Sequence, residues 1–143
     1  MNSRIALFSA ALTLAATAAV QSADWPRWRG PDLNGISKET GWSPKALNDE
    51  PKILWRAKIG MGFSSFVVAD GRVFTTGNTA DTDTLFAFDA DTGKELWKHS
   101  YAEPLDPKYY DGGTSATPTV DGDTVYQLSR KGQLIALEAA TGK

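Results

Sequence analysis

After its first twenty or so residues the chain alternates short apolar or β-branched runs with turn-forming residues, and no stretch repeats its apolar positions at helical spacing. Asp70-Gly71 and Asp121-Gly122 each stand between runs rich in Val, Phe, Tyr and Thr. A short acceptor side chain beside a glycine that tolerates positive φ is the signal of a tight hairpin. The pattern predicts strands over about residues 65–69, 72–76, 85–89 and 95–100, with a second set starting near Ser115. Leu85-Phe86-Ala87-Phe88 is apolar at four consecutive positions, so both faces of that strand are expected to be covered, as in a sheet stacked between other sheets.

The same order of elements recurs. Val68-Ala-Asp-Gly-Arg-Val-Phe74 lies over Val120-Asp-Gly-Asp-Thr-Val-Tyr126 with a slip of one residue, and residues 85–94 lie over residues 134–143 without a gap. Lys52-Ile-Leu-Trp-Arg56 echoes Lys94-Glu-Leu-Trp-Lys98 and is expected to be the closing strand of an earlier unit. A period of about fifty residues with about four strands per unit is that of a propeller blade. A two-sheet sandwich would instead show strict in-out alternation without a sequence repeat of this length.

The opening segment follows a different pattern. Arg4 and the amino terminus form a short positive region, and the apolar run from Ile5 to Val20 is interrupted only by Ser9, Thr13 and Thr17. This run is short and mild for a membrane span and fits a signal peptide, with Val20 and Ser22 placed for cleavage after Ser22 or one residue later. The reading is therefore three parts: a signal peptide over residues 1–22, a Trp-rich strap over 23–50 and the repeats over 51–143. Location in the periplasm or secretion is the expectation, without a transmembrane span in the mature chain.

Composition narrows the chemistry. Fifteen basic against seventeen acidic residues give a net charge of −2, too acidic a balance for a nucleic-acid partner that rewards counterion release. With no cysteine and one histidine, the usual zinc sets, haem attachment and thiol catalysis have no residues to use. The lack of cysteine also excludes a lipoprotein anchor and disulfides.

The segment Ala87-Phe-Asp89-Ala-Asp-Thr92-Gly93-Lys-Glu-Leu-Trp97 resembles the A-x-D-x-x-T-G-x-x-x-W signature of the pyrroloquinoline-quinone-like (PQQ-like, quinoprotein) β-propeller repeat. Ala87 allows close approach of sheets, Asp89 and Thr92 can bond the turn backbone, and Gly93 can adopt the left-handed conformation. Trp97 offers an apolar plate to a neighbouring blade. The second copy keeps Ala136, Thr141 and Gly142 but carries Glu138 in place of Asp, which predicts a less tightly capped turn. Trp55 resembles the docking tryptophan of the preceding unit. The resemblance implies an all-β fold of four-stranded antiparallel blades. About two blades are present out of the roughly eight usual for such propellers, so the sequence is expected to be a piece of a longer protein. Unburied blade faces make instability or self-association the expectation for the piece alone.

The segment from Asp24 to Trp42 is similar to the opening of exported PQQ-like proteins described by analogy to an outer-membrane-protein assembly factor. Trp25, Trp28 and Trp42 could stack on sugars while Arg27 and Arg29 hydrogen-bond them, but a strap packed across the propeller is the favoured reading. Asp81-Thr-Asp83 and Asp121-Gly-Asp123 space carboxylates as calcium loops do, yet neither continues with the remaining ligands, and solvated turn carboxylates are expected. Tyr109 and Tyr110 lie in a Gly-ended loop read as an inter-blade connection, and His99 is read as a surface residue. No G-x-S-x-G elbow surrounds Ser64-Ser65 or Thr114-Ser115.

No catalytic or metal-binding residue is assigned. The resemblance implies either a non-catalytic scaffold for protein partners in the cell envelope, which is favoured, or a PQQ-dependent oxidoreductase acting on alcohols or sugars. PQQ and calcium would then belong to the full-length protein. A polysaccharide-binding module built on the Trp cluster is a third reading.

Overall fold

A computed structural model describes residues 23–47, 51–108 and 110–143. The expected signal peptide lies outside the described residues, as does Tyr109. The described chain is all-β apart from one 3-10 turn at Pro44–Leu47, and no described helix is long and apolar enough to cross a membrane.

Two antiparallel sheets form. The first contains β1 (Val67–Ala69), β2 (Arg72–Asn78), β3 (Thr82–Asp89) and β4 (Glu95–Ala102) in sequential order, and the second contains β5 (Thr119–Asp121), β6 (Thr124–Leu128) and β7 (Leu134–Glu138). Both are blades of one propeller architecture. The hairpin turns explain the one-residue slip in the repeat. Ala69 pairs with Arg72 across Asp70 and Gly71, both at positive φ (54° and 69°), the type I′ geometry that suits the strand twist. In the second blade Asp121 pairs with Thr124, so Gly122 and Asp123 are the central pair and only Gly122 is left-handed, as in a type II′ turn. The same dipeptide thus sits one position apart in two turn types.

Several strand limits differ from expectation. β1 starts at Val67 and β5 at Thr119, later than the predicted 65 and 115, because the residues before them follow a neighbouring blade: Gly62 bridges Thr114 in parallel and the Ser65 amide donates to Thr117 Oγ1 at 3.1 Å. β3 starts three residues early, at Thr82, where Asp83 pairs with Asn78 of β2 and Tyr101 of β4. Residues 52–56, expected as a strand, lie outside every strand, since among the described residues no sheet edge runs beside them.

The core lies between the sheets. Val67, Ala69, Phe74, Leu85 and Ala87 of the first blade pack with Val120, Val125, Leu137 and Ala139 of the second. Ala87 is fully buried where sheets approach closely. Phe88 covers the opposite face of β3, while Phe86, expected to be buried, is only half-buried and stacks on Phe88 at 5.7 Å. The strap reaches this core at Trp25, which exchanges two backbone hydrogen bonds with Val68 and so occupies the inner edge of β1. Pro26 accepts from the Val120 amide at 2.7 Å, tying the strap to both blades.

Candidate functional site

Three places concentrate side chains whose types the repeat or the chemistry demands: the docking of tryptophans on turns, a polar cluster buried between the blades, and an open groove at their inner ends.

The turn after β3 is built by Asp89. Its Oδ1 accepts from the Thr92 amide at 2.8 Å and the Thr92 hydroxyl at 2.6 Å. These bonds to Thr92, the hydroxyl first, hold the Asp89 carboxyl below its ordinary pKa. Trp55 covers the turn: its indole Nε1 donates to the Ala90 carbonyl at 2.9 Å, and a Cβ on Gly93 would stand 2.5 Å from its ring. Gly93 is therefore required twice, by its φ of 69° and by the ring above it. The turn after β7 repeats this arrangement. Trp97 Nε1 donates to the Ala139 carbonyl at 3.0 Å, and a Cβ on Gly142 would stand 2.7 Å from the Trp97 ring. Glu138 Oε2 accepts from the Thr141 hydroxyl at 2.6 Å, but the Thr141 amide turns to the Glu138 carbonyl at 3.2 Å. The longer side chain keeps the hydroxyl bond without the amide bond. Ala136 stands on β7 opposite Tyr126 and is exposed, where Ala87 is buried.

The buried polar cluster was not visible from spacing. Asp83, expected as a solvated turn carboxylate, is 1% exposed, because the early start of β3 turns it inward. Asn78 Nδ2 donates to Asp83 Oδ1 at 2.6 Å and to the Glu103 carbonyl at 2.8 Å. Arg130, from the turn between β6 and β7, brings Nη2 to 3.6 Å from Asp83 Oδ1 and donates to the carbonyls of Leu105, at 2.8 Å, and Pro104. The cluster thus ties one blade to the next. Tyr101 lies against Asp83, and burial, then the charges of Asp83 and Glu103, push its pKa up to about 12. The sequence signal available was Arg130 in a turn that follows β-branched strands, which does not reveal its partner. Asp81 is exposed and its Oδ1 accepts from the Leu105 amide at 2.8 Å, while Asp121 and Asp123 are exposed in their turn.

The groove, of about 410 Å³, is lined by Trp28, Phe63, Ser65, Ser115 and Thr117. Tyr110 meets Phe63 edge-on at 5.2 Å, and the Arg29 guanidinium lies 5.6 Å from the Trp28 ring. The three tryptophans of the strap separate here: Trp25 is half-buried against Gly30, whereas Trp28 and Trp42 are exposed. His99 is half-buried on β4, opposite Leu85.

Comparison with known proteins gives this geometry a relation. The family described as outer membrane protein assembly factor BamB matches residues 45–143. The chain belongs to this PQQ-like repeat family. A quinoprotein ethanol dehydrogenase of Pseudomonas aeruginosa is 32% identical over 80 residues, which are 56% of this chain and 12% of that enzyme. The solved structure of a europium-containing methanol dehydrogenase is 26% identical and superposes with a TM-score of 0.51 over 68% of this chain and 19% of its own. The chain thus spans less than a fifth of either dehydrogenase.

Among the described residues no three His, Cys, Asp or Glu side chains gather to hold a metal ion. The carboxylate of Asp83 is already engaged by Asn78 and faces Arg130. Calcium thus finds no donor set among the described residues, and the resemblance places PQQ and calcium in the full-length protein.

Proposed function

We propose that this chain is an exported PQQ-like propeller segment that works as a non-catalytic scaffold, presenting its inner groove and exposed edges to protein partners in the cell envelope. The observation that carries the reading is how the repeat motif is used. Asp89, Thr92 and Gly93 build a turn, Trp55 and Trp97 dock blades, and Asp83 is neutralised between blades. Asp89 and Asp83 are thereby engaged in structure, while Trp28, Phe63 and Tyr110 remain exposed at one end, as a surface offered to a partner's anchors requires.

The similarity to two dehydrogenases favours a second reading, in which the segment is part of a PQQ-dependent oxidoreductase for alcohols or sugars. Titration of the protein with PQQ and calcium, followed by tryptophan fluorescence, separates the two. The scaffold reading expects no saturable quenching and discrete envelope-protein adducts from a photo-crosslinker at Phe63; stoichiometric, calcium-dependent quenching would replace it with the oxidoreductase. Export is checked on the same protein, whose mature form is expected to begin at Ala23 or Asp24.

A further inference from the structure

We propose that removal of residues 1–22 delivers the new amino terminus to a site of its own: the α-ammonium of Ala23 pairs with the carboxylate of Glu39, over a cavity formed by the strap and β1. This pairing rests on the export reading and names the group that receives the freed terminus. Water added across the Ser22–Ala23 peptide bond by a signal peptidase leaves a carboxylate on Ser22 and an ammonium on Ala23. The nitrogen that gains the charge is already placed, since the Ala23 nitrogen donates to Glu39 Oε1 at 2.8 Å. Cleavage therefore turns a neutral donor in an existing hydrogen bond into a charged one. Charge-assisted bonds are roughly twice as strong as neutral ones.

Both partners are held from other sides. Asp24 Oδ1 accepts from the Asp70 amide at 3.1 Å, and Trp25 exchanges backbone hydrogen bonds with Val68 at 2.7 and 3.0 Å, so Ala23 precedes a strap end already fastened to β1 and its hairpin. On the receiving side, Ser37 Oγ accepts from the Glu39 amide at 3.1 Å and donates to Glu39 Oε2 at 3.4 Å. The carboxylate is thereby fixed through its other oxygen. The bond from Ala23 to Glu39 spans sixteen residues and closes the strap into a loop. The cavity beneath, of about 420 Å³, has Asp24, Asp32, Lys38 and Glu39 as its charged lining, while β1 contributes only the apolar Val68. Lys38 Nζ already pairs with Asp32 at 2.6 Å, so three carboxylates face one side-chain ammonium. The wall favours one further cation, and the terminus of the processed chain supplies it.

The test uses the full chain, exported through its own leader and purified, with its first residue read by N-terminal sequencing. Ala23 is the expected result. Acylation of the α-amine by acetic anhydride is then followed against pH, by mass spectrometry of the N-terminal peptide, in the parent, in Glu39→Gln and in a chain that begins at Ser22. An α-amine without a partner titrates at about 7.7–8.0, and a carboxylate beside it makes it keep its proton to higher pH. At pH 7 the parent is expected to react about fivefold more slowly than either comparison chain, with its pH profile displaced upward. Starting at Ser22 moves the ammonium about 3.8 Å along the chain and leaves Glu39 in place, so the test does not depend on one substitution. Equal rates in the parent and either comparison chain, on a protein that begins at Ala23, would overturn the ion pair and leave export standing. A first residue at Asp24 would overturn it in the same way, whereas retention of residues 1–22 would overturn both the pair and the export reading.

Discussion

The two turns that carry docked tryptophans share one design and differ in two side chains, Asp89 against Glu138 and the exposed Asp91 against Ala140. Under Trp55, Asp89 binds both the hydroxyl and the amide of Thr92; under Trp97, Glu138 binds only the hydroxyl of Thr141. The glycine beneath the ring and the indole bond to a turn carbonyl are the same in both. The comparison separates what the blade joint demands from what it tolerates. The flat ring and the Cβ-free residue are fixed by close approach, whereas the carboxylate supplies a local cap that one extra methylene weakens without undoing.

The largest expected effect lies outside the turns. Arg130→Met leaves Asp83 buried without its counter-charge, and the loss should be about 3 kcal/mol of unfolding free energy, measured by urea titration. Next comes Trp97→Ala, which removes the plate between blades and should cost about 3 kcal/mol, with Trp55→Ala less costly because Trp97 packs against the core beside Phe74, whereas Trp55 meets Phe88 on the outer side of it. Gly93→Ala combines a left-handed φ with a clash against Trp55 and should cost about 2 kcal/mol, while Gly71→Ala, at the same φ with open space around it, should cost about 1 kcal/mol. The smallest change sharpens the comparison most. Glu138→Asp should restore the amide cap in the second turn and raise the melting temperature slightly, a gain below about 1 kcal/mol. The pH dependence has a definite sign. The folded Asp89 carboxyl is held below its ordinary value of 3.8, so its contribution is present above that value and is lost as pH falls through the lower folded one. Asp89→Asn should flatten the acid limb of the stability curve, read by thermal melts at stepped pH.

Much of this fold was legible because the repeat writes the same local rules twice. Asp70-Gly71 announced its hairpin through positive φ, and the apolar run 85–88 announced a covered strand. The Trp97 plate could be placed against a neighbour because a large ring on an outer strand has few other uses. Three features were not legible. The burial of Asp83 depends on β3 starting at Thr82, and a polar Asp-Thr-Asp run gives no periodic signal for a strand. Arg130 reaches Asp83 and Pro104 only because two blades stack, a contact that local spacing does not encode. The division of the strap, with Trp25 packed and Trp28 exposed, turns on a backbone pairing with Val68 that the Trp-Pro-Arg-Trp string does not specify.

Tryptophans are locked on the turns of the blades beside them through their indole N–H groups. Hydrogen exchange of the indole protons, followed by NMR with Trp→Phe variants for assignment, tests it most directly. The structure predicts slow exchange for Trp55 and Trp97 and fast exchange for the exposed Trp28 and Trp42. Exchange of Trp55 and Trp97 as fast as that of Trp28 would contradict the docking and the blade arrangement built on it.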